Sequence, residues 1–163
     1  MNTPSQKKSI LVLGGTGKTG RRIVERLKVL GHDPKIGSRN ADTPFDWLNR
    51  DTWLPVLSGV NCVYISYHPD LAVPGAVETV QAFTDLAVSC GVQKLVLLSG
   101  RGEDEAVRGE DVIKASGVNW TILRASWFAQ NFSESFLLDN VLSGTIALPV
   151  GDIGEAFVDV DDI

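Results

Sequence analysis

Glycines near the N-terminus have the spacing of a loop that binds phosphate groups. Gly15, Gly17 and Gly20 satisfy G-x-G-x-x-G, and Gly14, Gly17 and Gly20 satisfy G-x-x-G-x-x-G. A turn whose backbone N–H groups contact a pyrophosphate has no room for Cβ atoms. The spacing therefore predicts a loop that binds the diphosphate of a dinucleotide. The alternative is a tight strand-to-helix turn that binds no ligand.

The flanking sequence places this loop between a strand and a helix. Residues 10–13 form a short apolar run, which is typical of a buried strand. Beyond the glycines, Ile23, Leu27 and Leu30 recur at i, i+4 and i+7, and this spacing predicts one apolar helix face. Strand, glycine turn and helix are the context that a dinucleotide-binding motif requires.

The sequence Gly17-Lys18-Thr19 also matches the end of a nucleoside-triphosphate loop, whose lysine contacts the terminal phosphates. That loop needs a glycine five residues before Gly17. The chain has Val12 at this position, inside the apolar run. The sequence therefore disfavours a nucleoside-triphosphate site.

Ser38 and Arg39 follow the predicted second strand, residues 33–37. In dinucleotide-binding folds this position meets the adenosine ribose, where a carboxylate binds the 2′-hydroxyl of NAD. A carboxylate would repel a 2′-phosphate, whereas a guanidinium forms charge-assisted hydrogen bonds with it. NADP(H) is therefore the predicted cofactor, and NAD(H) is the alternative. The other interpretation of Arg39 is a solvated loop residue.

Asp46 and Trp47 precede a predicted helical stretch at residues 51–57. Asp46 is a candidate to bind the adenine amino group, with Trp47 packed nearby. Large aromatic residues commonly fill the core, so Trp47 and Trp53 as core residues are the alternative.

Strand-like and helical segments alternate along the rest of the chain. Strands are predicted at residues 61–66, 93–98 and 118–123, and helices at residues 77–87 and 103–115, the latter with Val112 and Ile113 facing inward. This alternation predicts an α/β fold with a doubly wound parallel sheet, that is, a three-layer α/β/α NAD(P)-binding Rossmann fold.

Polar segments follow two of these strands, at residues 66–69 and 99–102. Open α/β sheets bind their ligands at the carboxyl edge, so Ser66, Tyr67 and Ser99 are predicted to border the cofactor. His68 is a weaker candidate for acid–base chemistry, because a histidine in a loop before proline is commonly exposed.

Length and composition predict a single compact domain. The chain has 163 residues, 44% of them apolar, and a net charge of −5 with scattered basic residues. This pattern predicts no direct contact with nucleic acid. The sequence has no apolar run long enough for a bilayer and no signal-peptide core in residues 1–8, which are predicted to be a flexible lead-in. A cytoplasmic location and no membrane association are therefore expected.

The cysteines Cys62 and Cys90 are not spaced as a metal site or a redox pair. They are predicted to be buried thiols, and no metal site is predicted.

With these residues placed, the chain resembles the NmrA-like group of atypical short-chain dehydrogenases/reductases over nearly its whole length. The matching segments are residues 10–20, Arg39, residues 116–124, residues 127–132 and residues 157–163. Many dinucleotide-binding proteins share the glycine loop, whereas the combination of Thr-Ile-Leu-Arg with Phe-x-x-Asn-Phe is much more specific to this group. Within the group, the chain is similar to the reductases of ergot-alkaloid pathways.

The resemblance implies a cofactor extended across the strand ends. Its diphosphate would lie against Gly14, Thr16, Gly17, Lys18, Thr19 and Gly20. Its 2′-phosphate would be held by Ser38 and Arg39. Its nicotinamide would lie toward Ser66, Tyr67, Ser99, Ala125, Trp127 and Phe128.

The chain departs from this family pattern in its catalytic residues and its length. The Tyr-x-x-x-Lys pair of ordinary short-chain dehydrogenases is absent, since Tyr64 and Tyr67 are followed four residues later by His68 and Leu71. No catalytic residue is therefore assigned. Relatives continue beyond residue 163 into a substrate-binding lobe, so residues 9–163 are predicted to form the Rossmann domain without that lobe. Apolar surface left bare in this way would favour a homo-oligomer.

These features favour an NADPH-dependent oxidoreductase that transfers a hydride to a small organic acceptor, such as a quinone or an imine. The alternative is an NADP(H)-binding redox sensor or regulatory module without turnover. A vestigial fragment that binds nothing is the third hypothesis.

Overall fold

Five strands build the central sheet of the protein. The computed structural model describes residues 9–148 and 151–163, so the predicted flexible lead-in, residues 1–8, lies outside the described residues. The strands are β1 (Ile10–Leu13), β2 (Lys35–Gly37), β3 (Cys62–Ile65), β4 (Lys94–Gly100) and β5 (Asn119–Ala125).

All five strands are parallel and lie in the order β2-β1-β3-β4-β5. The chain therefore proceeds outward in one direction from β1 to β2, and in the opposite direction from β3 to β5. Open sheets of this kind bind ligands at the carboxyl ends of the strands where the order reverses. The predicted doubly wound parallel sheet is confirmed.

Helices cover both faces of the sheet. They are α1 (Lys18–Val29), α2 (Trp53–Leu57), α3 (Ala76–Ser89) and α4 (Asp104–Ala115). Val12 and Tyr64 pack against Val24 of α1 on one face, whereas Leu11 and Leu13 belong to the larger core on the other face, which also contains residues of α2, α3 and α4. Alternate residues of each strand thus face opposite layers, and the three-layer α/β/α architecture is confirmed.

The predicted apolar face of α1 was wrong at one position. Leu30 is 72% exposed, whereas Val24 is buried and Ile23 and Leu27 are partly buried against it. The cause is the end of the helix: α1 stops at Val29, and Gly31, at φ +81°, turns the chain away. Leu30 therefore no longer follows the helical period.

An aromatic cluster lies in the larger core, and three of its four residues come from the chain segment that connects β2 to β3. Phe45, Trp47, Trp53 and Phe83 are buried and make edge-to-face contacts, with ring centroids 4.9 Å apart for Phe45–Trp47 and 5.2 Å for Trp47–Phe83. Rings in this geometry gain energy beyond their area burial. The connection from β2 to β3 is therefore held by side-chain packing and by the short helix α2.

Helix α4 buries more than its predicted inward residues. Ile113 is buried and Val112 is partly buried, but Glu110 is also fully buried at 0% exposure. The sequence pattern around Glu110 does not indicate that this glutamate lies in the interior. Cys62 and Cys90 are only partly buried, so their predicted burial was wrong.

The chain after β5 folds against α1. It contains β6 (Trp127–Phe128), α5 (Leu138–Leu142) and β7 (Phe157–Val158), with β6 and β7 paired in parallel. Glu134 forms ion pairs with Arg21 and Arg22, and Asp161 forms ion pairs with Arg22 and Arg26. These contacts join α1 to residues more than a hundred positions later.

None of the helices in residues 9–148 and 151–163 is both long and apolar enough to cross a bilayer.

We predict that Phe83→Ala lowers the free energy of unfolding by about 3–5 kcal/mol, because it removes the ring that Phe45, Trp47 and Trp53 share. Phe136 is 65% exposed and serves as the matched control, with an expected loss of about 0.5 kcal/mol or less for Phe136→Ala. Urea denaturation followed by circular dichroism measures both values. Similar losses for the two variants would contradict the assignment of the core.

Candidate functional site

A cleft of about 1080 Å³ lies across the carboxyl ends of the strands. It begins beside Ser38 after β2, passes the glycine turn after β1, and reaches Ser66, Ser99 and Ala125 at the ends of β3, β4 and β5. Its predicted lining residues are Gly14, Thr16, Gly17, Lys18, Thr19, Ser38, Arg39, Asp46, Trp47, Ser66, Tyr67, Ser99, Ala125, Trp127 and Phe128. The fold thus brings fifteen of the sixteen predicted site residues to one cleft.

The glycine turn opens the N-terminus of α1 to this cleft. Gly14 has a φ of +66°, donates its N–H to the Gly37 carbonyl at 2.9 Å, and accepts a hydrogen bond from the Gly17 N–H at 2.8 Å. Gly17 precedes Lys18, where α1 begins. The first N–H groups of a helix have no acceptor within the helix, and the helix dipole is positive at this end. The turn is therefore suited to an anion.

Gly20 is the one predicted site residue outside the cleft. It lies behind the turn, where a Cβ atom would collide with the carbonyl of Gly14. Gly20 thus allows α1 to pack closely on the glycine turn. This is the helix-packing role that the third glycine of such motifs has.

Ser38 and Arg39 lie at the β2 end of the cleft. The Ser38 hydroxyl oxygen is buried and has no hydrogen-bond partner among the described residues. Arg39 is exposed at the cleft. A buried hydroxyl without a partner costs free energy, so a ligand with polar groups would satisfy it. The donor set fits a ribose that carries a phosphate.

Asp46 and Trp47 differ in their surroundings. The Trp47 indole is 8% exposed in the aromatic core and donates its N–H to the Ser66 carbonyl at 3.4 Å. One carboxylate oxygen of Asp46 accepts the Leu48 N–H at 3.0 Å, and Asp46 borders the cleft. Trp47 thus packs in the core, as its alternative interpretation states, and also borders the cleft.

Aromatic side chains surround the β4–β5 end of the cleft. Tyr67 contacts Trp47, with ring centroids 4.9 Å apart, and Trp127 contacts Phe136 at 6.3 Å. All of these rings border the cleft. This end therefore offers apolar surface to a flat ligand.

Lys18 connects the glycine turn with the segment after β5. Its amine donates to the Asn131 side-chain oxygen at 2.6 Å and lies 5.8 Å from the centre of the Phe128 ring. Burial lowers the pKa of Lys18, against an opposing effect of Glu134. Both defined positions of the Phe-x-x-Asn motif, Phe128 and Asn131, therefore contact Lys18 beside the glycine turn. The spacing of residues in the sequence could not indicate this contact.

A network of hydrogen bonds around Glu110 joins β4, β5 and α4 beneath the cleft. Arg124 donates to both carboxylate oxygens, from Nε at 2.7 Å and from Nη2 at 2.6 Å. Ser99 donates to Oε1 at 2.8 Å, and Lys114 donates to Oε2 at 3.2 Å. The Arg124 guanidinium lowers the pKa of Glu110 to about 2, against the opposing effect of burial. Glu110 is therefore ionised at neutral pH.

Tyr64 does not have the environment of a proton donor. It packs with Val12 and Val24 beneath α1, and burial raises the pKa of its hydroxyl to about 12. A tyrosine that exchanges protons with a substrate needs a lowered pKa and access to the ligand. Tyr64 is therefore a core residue.

Comparison with curated proteins finds several relatives. The chain is 31% identical over 179 residues to prestalk A differentiation protein A of Dictyostelium discoideum, with 99% of this chain and 59% of that protein covered. It is 31% identical over 183 residues to festuclavine dehydrogenase of Aspergillus fumigatus, with coverages of 95% and 60%. It is 36% identical over 145 residues to agroclavine dehydrogenase of Claviceps fusiformis, with coverages of 77% and 48%. The chain thus spans about half of the length of these relatives, and at most 60%.

Solved structures share the fold at low sequence identity. A nucleoside-diphosphate-sugar epimerase from Staphylococcus aureus has a TM-score of 0.74 at 18% identity, over 94% of this chain and 63% of that one. A short-chain dehydrogenase/reductase superfamily protein from Agrobacterium tumefaciens, with bound NAD, has a TM-score of 0.60 at 19% identity, with coverages of 74% and 49%. A triphenylmethane reductase from Citrobacter sp., complexed with NADP(H), has a TM-score of 0.59 at 17% identity, with coverages of 83% and 55%. No family model matches the chain.

The strand order, with the glycine turn at its point of reversal, defines a Rossmann fold, which the solved structures with bound NAD or NADP(H) share. Within this class, the relatives confirm the predicted resemblance to ergot-alkaloid reductases: the chain is a homologue of the festuclavine and agroclavine dehydrogenases.

We predict that Glu110 contributes to stability in a pH-dependent way. The pKa of Glu110 is about 2 in the folded protein and 4.5 ordinarily, so its contribution is complete above about pH 4.5 and is lost as the pH falls toward 2. The melting temperatures of the native chain and Glu110→Gln should therefore differ most near neutral pH and converge in acid. Glu105→Gln, which removes an exposed ion pair with Arg108, is the control with little effect. A difference between native chain and Glu110→Gln that stays constant from pH 7 to pH 2.5 would contradict the network.

Proposed function

We propose that the chain is the nucleotide-binding part of an NADPH-dependent oxidoreductase of the NmrA-like type, which transfers a hydride to a small organic acceptor. One observation carries this proposal: the open N-terminus of α1 meets the cleft at a glycine turn, beside the unpartnered Ser38 hydroxyl and Arg39. Backbone N–H groups for a diphosphate and a guanidinium for a phosphorylated ribose therefore lie along one cleft.

The preference for NADP(H) over NAD(H) is proposed from the charge at the β2 end. Neither Ser38 nor Arg39 carries a negative charge, and a carboxylate is what would bind the free 2′-hydroxyl of NAD. Arg39 forms no salt bridge with another described residue, so its guanidinium is available to a phosphate. Solved structures of this fold contain either cofactor, so the preference rests on these two side chains.

The β4–β5 end of the cleft is proposed to hold the nicotinamide. A bound reduced nicotinamide supplies the hydride. The chain contributes aromatic surface from Tyr67, Trp127 and Phe128, which excludes water from this end, and polar groups from Ser66 and Ser99, which orient the ring.

The acceptor is proposed to be a conjugated electrophile such as a quinone or an imine. The relatives named as clavine dehydrogenases support a small-molecule acceptor, and the aromatic surface of Tyr67 and Trp127 suits a flat one.

A cytoplasmic location, the absence of nucleic-acid contacts and the formation of a homo-oligomer stay predictions, as does the division into a lead-in at residues 1–8 and a domain at residues 9–163.

A redox sensor without turnover is the second candidate. The observation that favours it is the buried position of Tyr64 together with the missing Tyr-x-x-x-Lys pair, which leaves hydride transfer without its usual source of a proton. Such a protein would bind NADP(H) and change its affinity for a partner with the redox state of the nucleotide.

We predict that Arg39→Asp weakens NADPH binding at least about tenfold, because it replaces a charge-assisted hydrogen bond with repulsion of the 2′-phosphate. NADH binding should change much less. Isothermal titration calorimetry measures both affinities. Arg108→Asp, on the exposed face of α4, is the control with the same change of charge. Equal losses for NADPH and NADH would contradict the phosphate contact of Arg39.

We predict that the two candidate functions separate in an assay of NADPH oxidation. An oxidoreductase should oxidise NADPH in the presence of an acceptor such as menadione. The reaction is measured as the loss of the absorption band of the reduced nicotinamide. A sensor should bind NADPH with no turnover across a panel of quinones and imines. Because the chain spans part of the length of its relatives, the assay also uses a chimera that carries the remaining segment of festuclavine dehydrogenase. Failure of the chimera to turn over any acceptor would contradict the oxidoreductase and favour the sensor.

A further inference from the structure

The buried carboxylate of Glu110 lies directly behind a residue that borders the cleft. Ser99, at the carboxyl end of β4, is 4% exposed and lines the β4–β5 end of the cleft. Its hydroxyl contacts Oε1 of Glu110 at 2.8 Å. A fully buried glutamate is rare unless it is paired, and here its partners come from β4, β5 and α4.

The carboxylate of Glu110 has no capacity for further hydrogen bonds. Oε1 accepts from Arg124 and Ser99, and Oε2 accepts from Arg124 and Lys114. These four bonds fill the roughly four lone-pair positions of a carboxylate. Ionised carboxylates only accept hydrogen bonds, so the proton in the bond between Ser99 and Glu110 belongs to Ser99.

This arrangement fixes what Ser99 can offer to a ligand. A serine hydroxyl has one proton to donate and two lone pairs to accept with. Because the proton is directed to Glu110, only lone pairs remain for the cleft. A ligand group that meets Ser99 must therefore be an N–H or O–H donor, and Ser99 cannot supply a proton to an acceptor.

We propose that Glu110 is a positioning residue that holds the Ser99 hydroxyl as a hydrogen-bond acceptor for the carboxamide N–H₂ of a nicotinamide nucleotide. This inference rests on the proposed function, since it concerns the nicotinamide end of the same cleft. It assigns roles to two residues: Ser99 contacts the amide, and Glu110 acts through Ser99.

The test compares oxidised NADP⁺ with its 3-acetylpyridine analogue, in which a methyl group replaces the amide nitrogen and the carbonyl is kept. The native chain should bind NADP⁺ about two- to tenfold more tightly than the analogue, as expected for one neutral hydrogen bond. Ser99→Ala should bind the two nucleotides equally, because the acceptor is gone. Glu110→Gln should also lose this preference, because its amide competes as a donor toward Ser99.

Lys114→Ala is the matched control. It removes a bond to the same carboxylate from the side away from Ser99, so the preference for NADP⁺ should persist. Melting temperatures without nucleotide report the structural contribution of each residue. Where Glu110→Gln fails to fold, Glu110→Asp retains the charge for Arg124 and withdraws the carboxylate from Ser99, with the same expected loss of preference.

The outcomes separate this inference from the proposed function. A native chain that binds no NADP⁺ contradicts the proposed function and the inference with it. A native chain that binds NADP⁺ and the analogue equally, or a Ser99→Ala variant that keeps the full preference, contradicts the inference alone. A preference lost in Ser99→Ala but kept in folded Glu110 variants contradicts the positioning role of Glu110.

Discussion

The close approach of backbone to backbone at the β1–α1 turn is the constraint on which the rest of the structure depends. The turn requires a left-handed residue at Gly14, and Gly20 must carry no Cβ where it faces the Gly14 carbonyl. These two conditions let α1 start directly at the carboxyl edge of the sheet. The free N–H groups and the positive dipole of the helix then meet the centre of the cleft, where the strand order reverses.

The fold and most of the cleft could be predicted from the sequence, because both follow from local patterns. Apolar runs, glycine turns and alternating strands and helices are visible along the chain, and parallel strands bring their carboxyl ends to one edge. The predicted position of Leu30 on the apolar face of α1 was wrong, because apolar periodicity does not show at which residue a helix ends. The role of Trp47 stayed open in the sequence, because an aromatic residue before a helix is equally compatible with the core and with a ligand site.

Interactions between distant residues could not be predicted in this way. Glu110 looks like one more charged residue of an exposed helix, and its burial depends on Arg124 and Ser99, which the fold alone brings beside it. The contact of Lys18 with Asn131 likewise joins residues 113 positions apart. One of these contacts lies at the glycine turn and the other at the ends of β4 and β5. Side-chain contacts thus stabilise the cleft at both places, whereas the strands and helices around it follow from local sequence patterns.

The central claim is that the backbone N–H groups of the glycine turn bind the diphosphate of a dinucleotide. Titration of the ¹⁵N-labelled chain with NADPH, followed by ¹H–¹⁵N correlation spectra, tests it most directly. We expect the amide signals of Gly17, Lys18 and Thr19 to move most and to saturate together with those of Ser38 and Arg39. Saturating shifts confined to other parts of the chain, or no shifts at millimolar NADPH, would contradict it.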